Sequence, residues 1–234
     1  MPRRPGLPRA KALLRLAAQA AAQTRAAARP SRIAIGCIAN MDLAPAVREL
    51  RRHHPDADVR TLTLAWNEAR AALLDHRVDA AVTRLPLRTD RLHATVLYDE
   101  PRVLLVPRGH RLAGRRSVTL DDIADEPLPR LPDPDWNAFW RIDPRPDGSP
   151  APDGPLIELL EDKLELIAAG QAVAIVSAGL RADGLRPGLT TVPLRGVEPG
   201  HVVLATRAGD DDPLMTAFRT YAQTHLGSNV DGEA

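Results

Sequence analysis

The histidines and the cysteine of the chain do not show the spacings that catalytic or metal sites require. His53 and His54 are adjacent near the end of a predicted helix, and no His/Glu pattern matches a zinc site. The chain has neither a phosphate-binding glycine loop nor a nucleophile elbow. Cys37 is the single cysteine, so there is no resolving partner for a redox switch. We therefore expect no catalytic residue, no metal and no cofactor.

Four pairs of residues lie at or just after predicted strand ends, where open α/β sheets bind ligands. They are Asn40 and Met41, Trp66 and Asn67, Thr83 and Arg84, and Arg130 and Leu131. Backbone N–H groups in the first of these loops can bind an anion, although Asp42 competes for the same helix end. Arg84 is a natural partner for an anionic ligand. The alternatives stay open: Asn40 as an ordinary cap, Met41 as a core residue and Arg84 as a surface ion pair.

Two further residues have competing interpretations. Trp136 and Trp140 lie four residues apart, on one face of a predicted helix, and we expect core anchors rather than an aromatic wall of a binding site. Cys37 is expected to pack as a small buried hydrophobic residue.

The elements that position these residues alternate between strand and helix from Arg32 onward. A strand at 32–38 precedes a helix that ends near His54, and a strand at 58–64 precedes a helix expected from Asn67 to about His76. The next strand follows at once, a pattern typical of a parallel sheet with crossover helices. Later strands are predicted at 103–106 and 173–176, and a final helix over Pro213–Leu226.

Composition and charge limit the classes of function. The 234 residues are 44% hydrophobic and 26% charged, which is ordinary for a globular protein, and no apolar run is long enough to span a membrane. The first 32 residues carry eight basic residues and no acidic one, whereas the rest carries a net charge of −7. An acidic body is a poor surface for phosphates, so any nucleic-acid role belongs to the basic arm or to a segment outside this chain.

The basic arm is rich in alanine and permits several interpretations. A secretory signal is disfavoured because Arg15, Gln19 and Gln23 interrupt its apolar stretch. An organelle transit peptide, a nucleic-acid-binding arm and a connecting helix fit the composition. The residue types favour a helix between Pro8 and Pro30, with a leucine and alanine face that needs a partner.

The order of several strings resembles the effector-binding domain of LysR-type transcriptional regulators. The strings "RIAIG", "LAPAVRELRRHHPDADVR" and "ARAALLDHRVDAAV" are similar to the first lobe of that family. "YDEPRVLLVPRGHRLAGRRSVTLDDIADEPL" resembles the passage into the second lobe, and "LELIAAGQAVAIVS" resembles its helix–Gly–strand. Ala172 and Ser177 depart from the usual Gly and Pro, as do Pro8 and Lys11 in "GLPRAKALLRLA" from the usual Thr and Gly of the linker helix.

The resemblance implies an α/β fold of two Rossmann-like lobes joined by two crossing strands, similar to type II periplasmic binding proteins and preceded by an α-helical linker. Residues 1–30 are expected to be the linker and dimerisation helix. Residues 31–228 are expected to form the effector-binding domain. Its lobe 1 spans about 31–99 and 205–228, and its lobe 2 about 100–204.

The resemblance also implies a function. A small-molecule effector is expected to bind in the cleft between the lobes, and a homo-oligomer, dimer or tetramer, to form through the linker helix and the effector domains. DNA is expected to be bound only by a winged helix-turn-helix that this chain lacks, and the protein to be cytoplasmic with no membrane partner. The alternatives are a stand-alone two-lobe solute-binding protein, a small two-lobe enzyme, or a chain that titrates full-length subunits.

Overall fold

The computed structural model describes residues 32–180, 186–210 and 212–227, so the predicted helix of residues 1–30 lies outside the described residues. The chain divides into two compact units. Of the described residues, the first unit contains those up to Thr83, Leu87–Tyr98 and those from Val202 onward, and the second contains Arg84–Pro86 and those between Asp99 and His201.

The first unit is built on one sheet and its helices. The elements are β1 (Arg32–Ile38), α1 (Ala44–His53), β2 (Asp58–Leu64), α2 (Ala69–Leu74), β3 (Ala80–Arg84), β4 (Leu92–Glu100), β10 (Gly200–Arg207) and α5 (Pro213–Leu226). The five strands have the order β2-β1-β3-β10-β4. Strand β1 pairs in parallel with both β2 and β3, which confirms the predicted parallel sheet with crossover helices. The end residues Arg84 of β3 and Glu100 of β4 belong to the second unit.

The core of the first unit lies between this sheet and the helices α1 and α5. Leu50 and Phe218 are fully buried in one apolar cluster with Ile33 and Ile35 of β1. Helix α5 has the predicted bounds, because the Asp212 carboxylate accepts the N–H groups of Leu214 and Met215 at 2.8 and 3.3 Å. The cluster anchors β1 and its neighbours, whose ends carry the candidate ligand residues.

The second unit holds two small sheets and two helices. The elements are β5 (Arg102–Pro107), β6 (Leu128–Arg130), α3 (Pro134–Arg141), β7 (Asp153–Leu156), α4 (Leu160–Ala168), β8 (Ala174–Ser177) and β9 (Leu189–Pro193). Three strands form an antiparallel sheet with the order β8-β5-β9, and β6 and β7 form a parallel pair. Asp133 caps the start of helix α3, because its carboxylate accepts the N–H groups of Asp135 and Trp136 at 3.0 Å each.

Two local predictions differ from the structure. Helix α2 is shorter than the predicted 67–76. The Glu68 carboxylate accepts the Ala65 N–H at 3.0 Å and holds a turn before the helix, and His76 has a φ of 55°, which no helix residue adopts. Asp42 lies one residue before the N-cap of α1, although its Oδ1 still accepts the Ala44 N–H at 2.9 Å.

Candidate functional site

Five of the eight candidate residues lie at one edge of the first sheet. Because β1 is parallel to β2 and β3, the carboxyl ends of all three strands meet at the same edge. Ile38 is paired with Leu64, and Cys37 with Val82, so the loops after these strands start side by side. This register brings together Asn40, Met41, Trp66, Asn67 and Thr83.

The loop after β1 is shaped by Asn40. Its φ of 64° lies in the left-handed region, which asparagine tolerates better than most side chains, and its side chain is exposed. Met41 is partly buried and packs against the core of the first unit, in agreement with its interpretation as a core methionine. The side-chain amide of Asn40 is therefore accessible to a ligand, whereas only the part of the Met41 side chain that faces away from the core is accessible.

The other strand ends of this edge differ in exposure. Trp66 is partly buried and Asn67 is exposed, both in the turn before α2. Thr83 is almost fully buried, with 1% of its surface exposed. The edge thus combines an indole and two side-chain amides, which can recognise an aromatic or polar ligand.

Arg84 is not a surface residue but half of a buried ion pair. Its Nε donates to Glu100 Oε2 at 2.6 Å and its Nη2 donates to Glu100 Oε1 at 3.0 Å, and each side chain is 8% exposed. Both partners belong to the second unit. Two parallel charge-assisted bonds already neutralise the guanidinium, so its proposed contact with an anionic ligand stays a prediction that the geometry does not favour.

The ion pair leaves no space for a side chain at Gly179. A Cβ on Gly179 would lie 2.0 Å from Glu100 Oε1 and 3.3 Å from Arg84 Nη2. The backbone of the turn after β8 therefore packs directly against the carboxylate. Sequence reasoning placed Arg84 near a strand end but missed both Glu100 and Gly179. Glu100, the second of two adjacent acidic residues in the "YDEPRV" string, was the available signal.

The two candidates of the second unit lie at the end of β6. The Arg130 side chain is 49% exposed, and its Nε donates to the Gly154 carbonyl at 3.1 Å. The N–H of Leu131 donates to Asn137 Oδ1 at 2.9 Å, which ties the end of the strand to helix α3. Arg130 therefore has a charged group at the surface, and Leu131 is held in a defined position.

The predicted core anchors of helix α3 are packed together. The rings of Trp136 and Trp140 lie 6.1 Å apart, and Phe139 meets Trp140 edge-on at 5.3 Å. Trp136 is only partly buried, and its Nε1 donates to the Pro86 carbonyl at 2.8 Å. Trp140 is 8% exposed and lies in the core of the second unit.

Cys37 is partly buried against the core of the first unit, and burial raises the pKa of its thiol. Less thiolate is then present at neutral pH than in a free cysteine. Within residues 32–180, 186–210 and 212–227, no three His, Cys, Asp or Glu side chains converge as a metal site. The helices of the same described residues include none long and apolar enough to cross a membrane.

Comparison with known proteins decides the family. The LysR substrate binding domain matches residues 26–227. The chain belongs to this family. The LysR domain is similar to the effector-binding domain of a BenM variant, with a TM-score of 0.69 and 20% identity over 83% of this chain and 94% of the other. It is also similar to the effector-binding domain of QuiR in complex with shikimate, with a TM-score of 0.69 and 17% identity. That match covers 83% of this chain and 96% of the QuiR domain. These likenesses confirm the predicted α/β fold, of the type II periplasmic-binding-protein kind.

The curated relatives of the LysR domain are transcriptional regulators. The regulator AlsR of Bacillus subtilis (strain 168) is 28% identical over 98 residues, which are 42% of this chain and 32% of AlsR. A probable hydrogen peroxide-inducible genes activator of Mycobacterium avium is 45% identical over 58 residues, or 25% of this chain and 19% of the relative. The matched segments thus span a third or less of these relatives.

Proposed function

We propose that this chain is the effector-sensing, dimerising part of a LysR-type transcriptional regulator. The observation that carries the proposal is the family match over residues 26–227, together with relatives that are HTH-type regulators. A small molecule binds in the cleft between lobe 1 and lobe 2 and favours one geometry of the oligomer. Such a switch requires only a different affinity for the two states, and a tenfold preference corresponds to about 1.4 kcal/mol.

The strand-end residues supply the effector contacts in this proposal. Asn40, Trp66 and Asn67 contribute amide and aromatic groups at the edge of the first sheet, with Met41 and Thr83 behind them. Arg130 and Leu131 contribute from the second lobe. Arg84 acts as a positioning residue, because its guanidinium is bound to Glu100 rather than free for a ligand.

A thermal-shift screen tests the effector proposal. The 234-residue chain is incubated with a panel of small carboxylic acids and aromatic compounds, and Tm is recorded. A binding compound raises Tm, since a ligand at 100 times its Kd stabilises the folded state by about 2.7 kcal/mol. Loss of the shift in Asn67→Ala, with the shift intact in the surface variant Arg60→Ala, supports the proposed edge. If no compound of the panel raises Tm, the effector proposal is contradicted.

Oligomerisation is proposed to involve residues 1–30 and the effector domains. Leu13 and Leu16 are the residues expected on the apolar face of the predicted arm helix. Sedimentation of the full chain measures its oligomeric state. We expect a dimer or tetramer that dissociates more readily in the double variant Leu13→Glu and Leu16→Glu. A wild-type chain that stays monomeric at high concentration contradicts this part of the proposal.

DNA binding is proposed to depend on a winged helix-turn-helix outside these 234 residues, in a cytoplasmic protein without a membrane partner. A gel-shift assay at low salt tests this point. We expect only weak, sequence-independent binding through the basic arm, which disappears as salt increases. Tight, sequence-specific binding by the chain alone contradicts the proposal.

A further inference from the structure

Four buried hydrogen-bond donors without a partner are concentrated in one short segment of the second unit. Among the described residues, they are Trp140 Nε1, Arg141 Nε and both Nη atoms of Arg145. Trp140 is 8% exposed, Arg141 3% and Arg145 7%. Because buried polar groups are almost always paired, such a concentration indicates a missing acceptor.

Two of these residues line a cavity. It offers about 10 Å³ to the centre of a water-sized molecule, which is room for a single small occupant. Its polar lining side chains are Trp140, Arg141 and Lys163. The remaining lining residues are Leu128, Pro129, Leu131, Ala174 and Ile175.

The polar lining side chains can donate hydrogen bonds but cannot accept them. An indole, a guanidinium and an ammonium have no acceptor atom, and two of the three carry a positive charge. Among the described side chains, which do not include those of residues 160 and 161, no acidic group forms an ion pair with Lys163, and burial lowers the pKa of its ammonium to about 8. An anion can accept hydrogen bonds from groups of all three kinds, whereas a water molecule finds no acceptor among these three side chains for its own hydrogens.

The donors are held in place before any ligand arrives. Arg141 Nη1 donates to Asp143 Oδ2 at 3.0 Å, and its Nη2 donates to Asp153 Oδ1 at 2.6 Å and to the Ala151 carbonyl at 2.9 Å. The two carboxylates fix the guanidinium and offset its charge, so Arg141 contributes the Nε–H donor to the cavity and Lys163 contributes the charge that is not offset. Arg145 adds a second buried positive charge that acts electrostatically on Arg141.

We propose that this cavity, lined by Trp140, Arg141 and Lys163, is a binding site for one small anion, either a halide ion or the carboxylate group of a small acid. The site lies wholly within the second unit and shares one residue, Leu131, with the proposed effector contacts. It goes beyond the proposed function, because the anion can bind whether or not the chain senses an effector.

The small number of lysines provides a direct probe. Lys11 and Lys163 are the two lysines of the chain, so a sample labelled with ¹³C at lysine Cε gives two side-chain NMR signals, which Lys11→Met assigns. Sodium bromide and sodium acetate are titrated separately into the 234-residue chain at constant ionic strength, with a bulky organic sulfonate as the balancing salt. We expect a saturable shift of the Lys163 signal and no saturable shift of the Lys11 signal.

Matched tryptophan variants locate the site. Trp140→Phe keeps an aromatic ring and removes the indole donor, and we expect it to weaken the anion affinity about tenfold or more, the effect of a lost hydrogen bond to a charged group. Trp136→Phe is the control, since Trp136 Nε1 donates to the Pro86 carbonyl and does not line the cavity. Saturation by bromide alone assigns a halide site, and saturation by acetate assigns a carboxylate site. The proposal is overturned if neither anion shifts the Lys163 signal, or if both tryptophan variants bind equally well.

Discussion

Arg84 and Glu100 form a two-point buried ion pair, with nitrogen–oxygen distances of 2.6 and 3.0 Å. Arg84 ends strand β3 and Glu100 ends strand β4, 16 residues later in the chain. Each side chain is 8% exposed, so water does little to screen the two charges. A buried charge depends on its partner, and the pair therefore specifies how these two strand ends meet.

Removing one partner of this ion pair is expected to be strongly destabilising. Glu100→Gln leaves the Arg84 charge buried, and we expect the free energy of unfolding to fall by about 3–5 kcal/mol in urea denaturation. The double variant Arg84→Met and Glu100→Met loses less than the sum of the single variants, because no unpaired charge remains. The control is Asp58→Asn, which removes an exposed pair with Arg60 that water screens, so we expect a much smaller loss. Equal losses in Glu100→Gln and Asp58→Asn contradict the assigned role.

Gly179 is expected to tolerate no larger side chain. Since a Cβ there would lie 2.0 Å from Glu100 Oε1, Gly179→Ala must displace the ion pair or the turn, at a cost of about 1–3 kcal/mol. Gly114→Ala is the matched control, because nothing lies within 4 Å of its added Cβ. Urea denaturation of both variants measures the difference. If the Gly179→Ala protein is as stable as the Gly114→Ala protein, the prediction is wrong, and the turn after β8 moves aside without cost.

The Asn40 side chain is expected to serve ligand binding rather than stability. Asn40→Gly keeps the left-handed backbone without strain, so we expect the free energy of unfolding to change by less than about 0.5 kcal/mol. The Tm shift produced by the strongest compound of the acid and aromatic panel falls in the same variant. Asn40→Val is destabilised by about 1–2 kcal/mol, because a β-branched residue is strained at this φ. An undiminished Tm shift in Asn40→Gly removes Asn40 from the proposed contacts.

Cys37 is expected to be a slow nucleophile. Burial raises the pKa of the thiol, so the thiolate fraction at pH 7 is smaller than in a free cysteine. The folded chain should react with an aromatic disulfide reagent well below the rate of the same chain in urea. The difference should narrow as the pH rises above 9 and the thiolate forms. Equally rapid reaction of folded and unfolded protein at pH 7 points instead to a reactive thiol.

Lys163 is expected to make stability depend on pH. Its pKa is about 8 in the folded chain against an ordinary value of 10.5, so between these values the unfolded state binds more protons. The free energy of unfolding contributed by this group therefore rises with pH from about 8 to 10.5, and the cost of the buried charge is fully present below pH 8. Urea denaturation across this range, compared with Lys163→Met, isolates the effect. A bromide-saturated sample should show a smaller rise, because a bound anion stabilises the charged form.

The class of fold and most of its elements follow from the amino-acid sequence alone. Alternating apolar patterns predicted the parallel strands β1 to β3, and helix α5 was predicted at its observed bounds, Pro213–Leu226. These features depend on local periodicity and on nearby capping groups such as Asp212, which a linear pattern contains. The register that brings Asn40 and Trp66 to one sheet edge follows from the same parallel order.

Which polar groups meet depends on the packing of the folded chain. The sequence left Arg84 open as a partner for an anionic ligand or as part of a surface ion pair, and its buried pairing with Glu100 depends on how two strand ends pack. The cavity beside Trp140 and Arg141 also includes Lys163, more than twenty residues away, and no spacing rule connects them. Burial and long-range pairing depend on the packed core. A polar side chain without a partner costs free energy only where packing has excluded water from it.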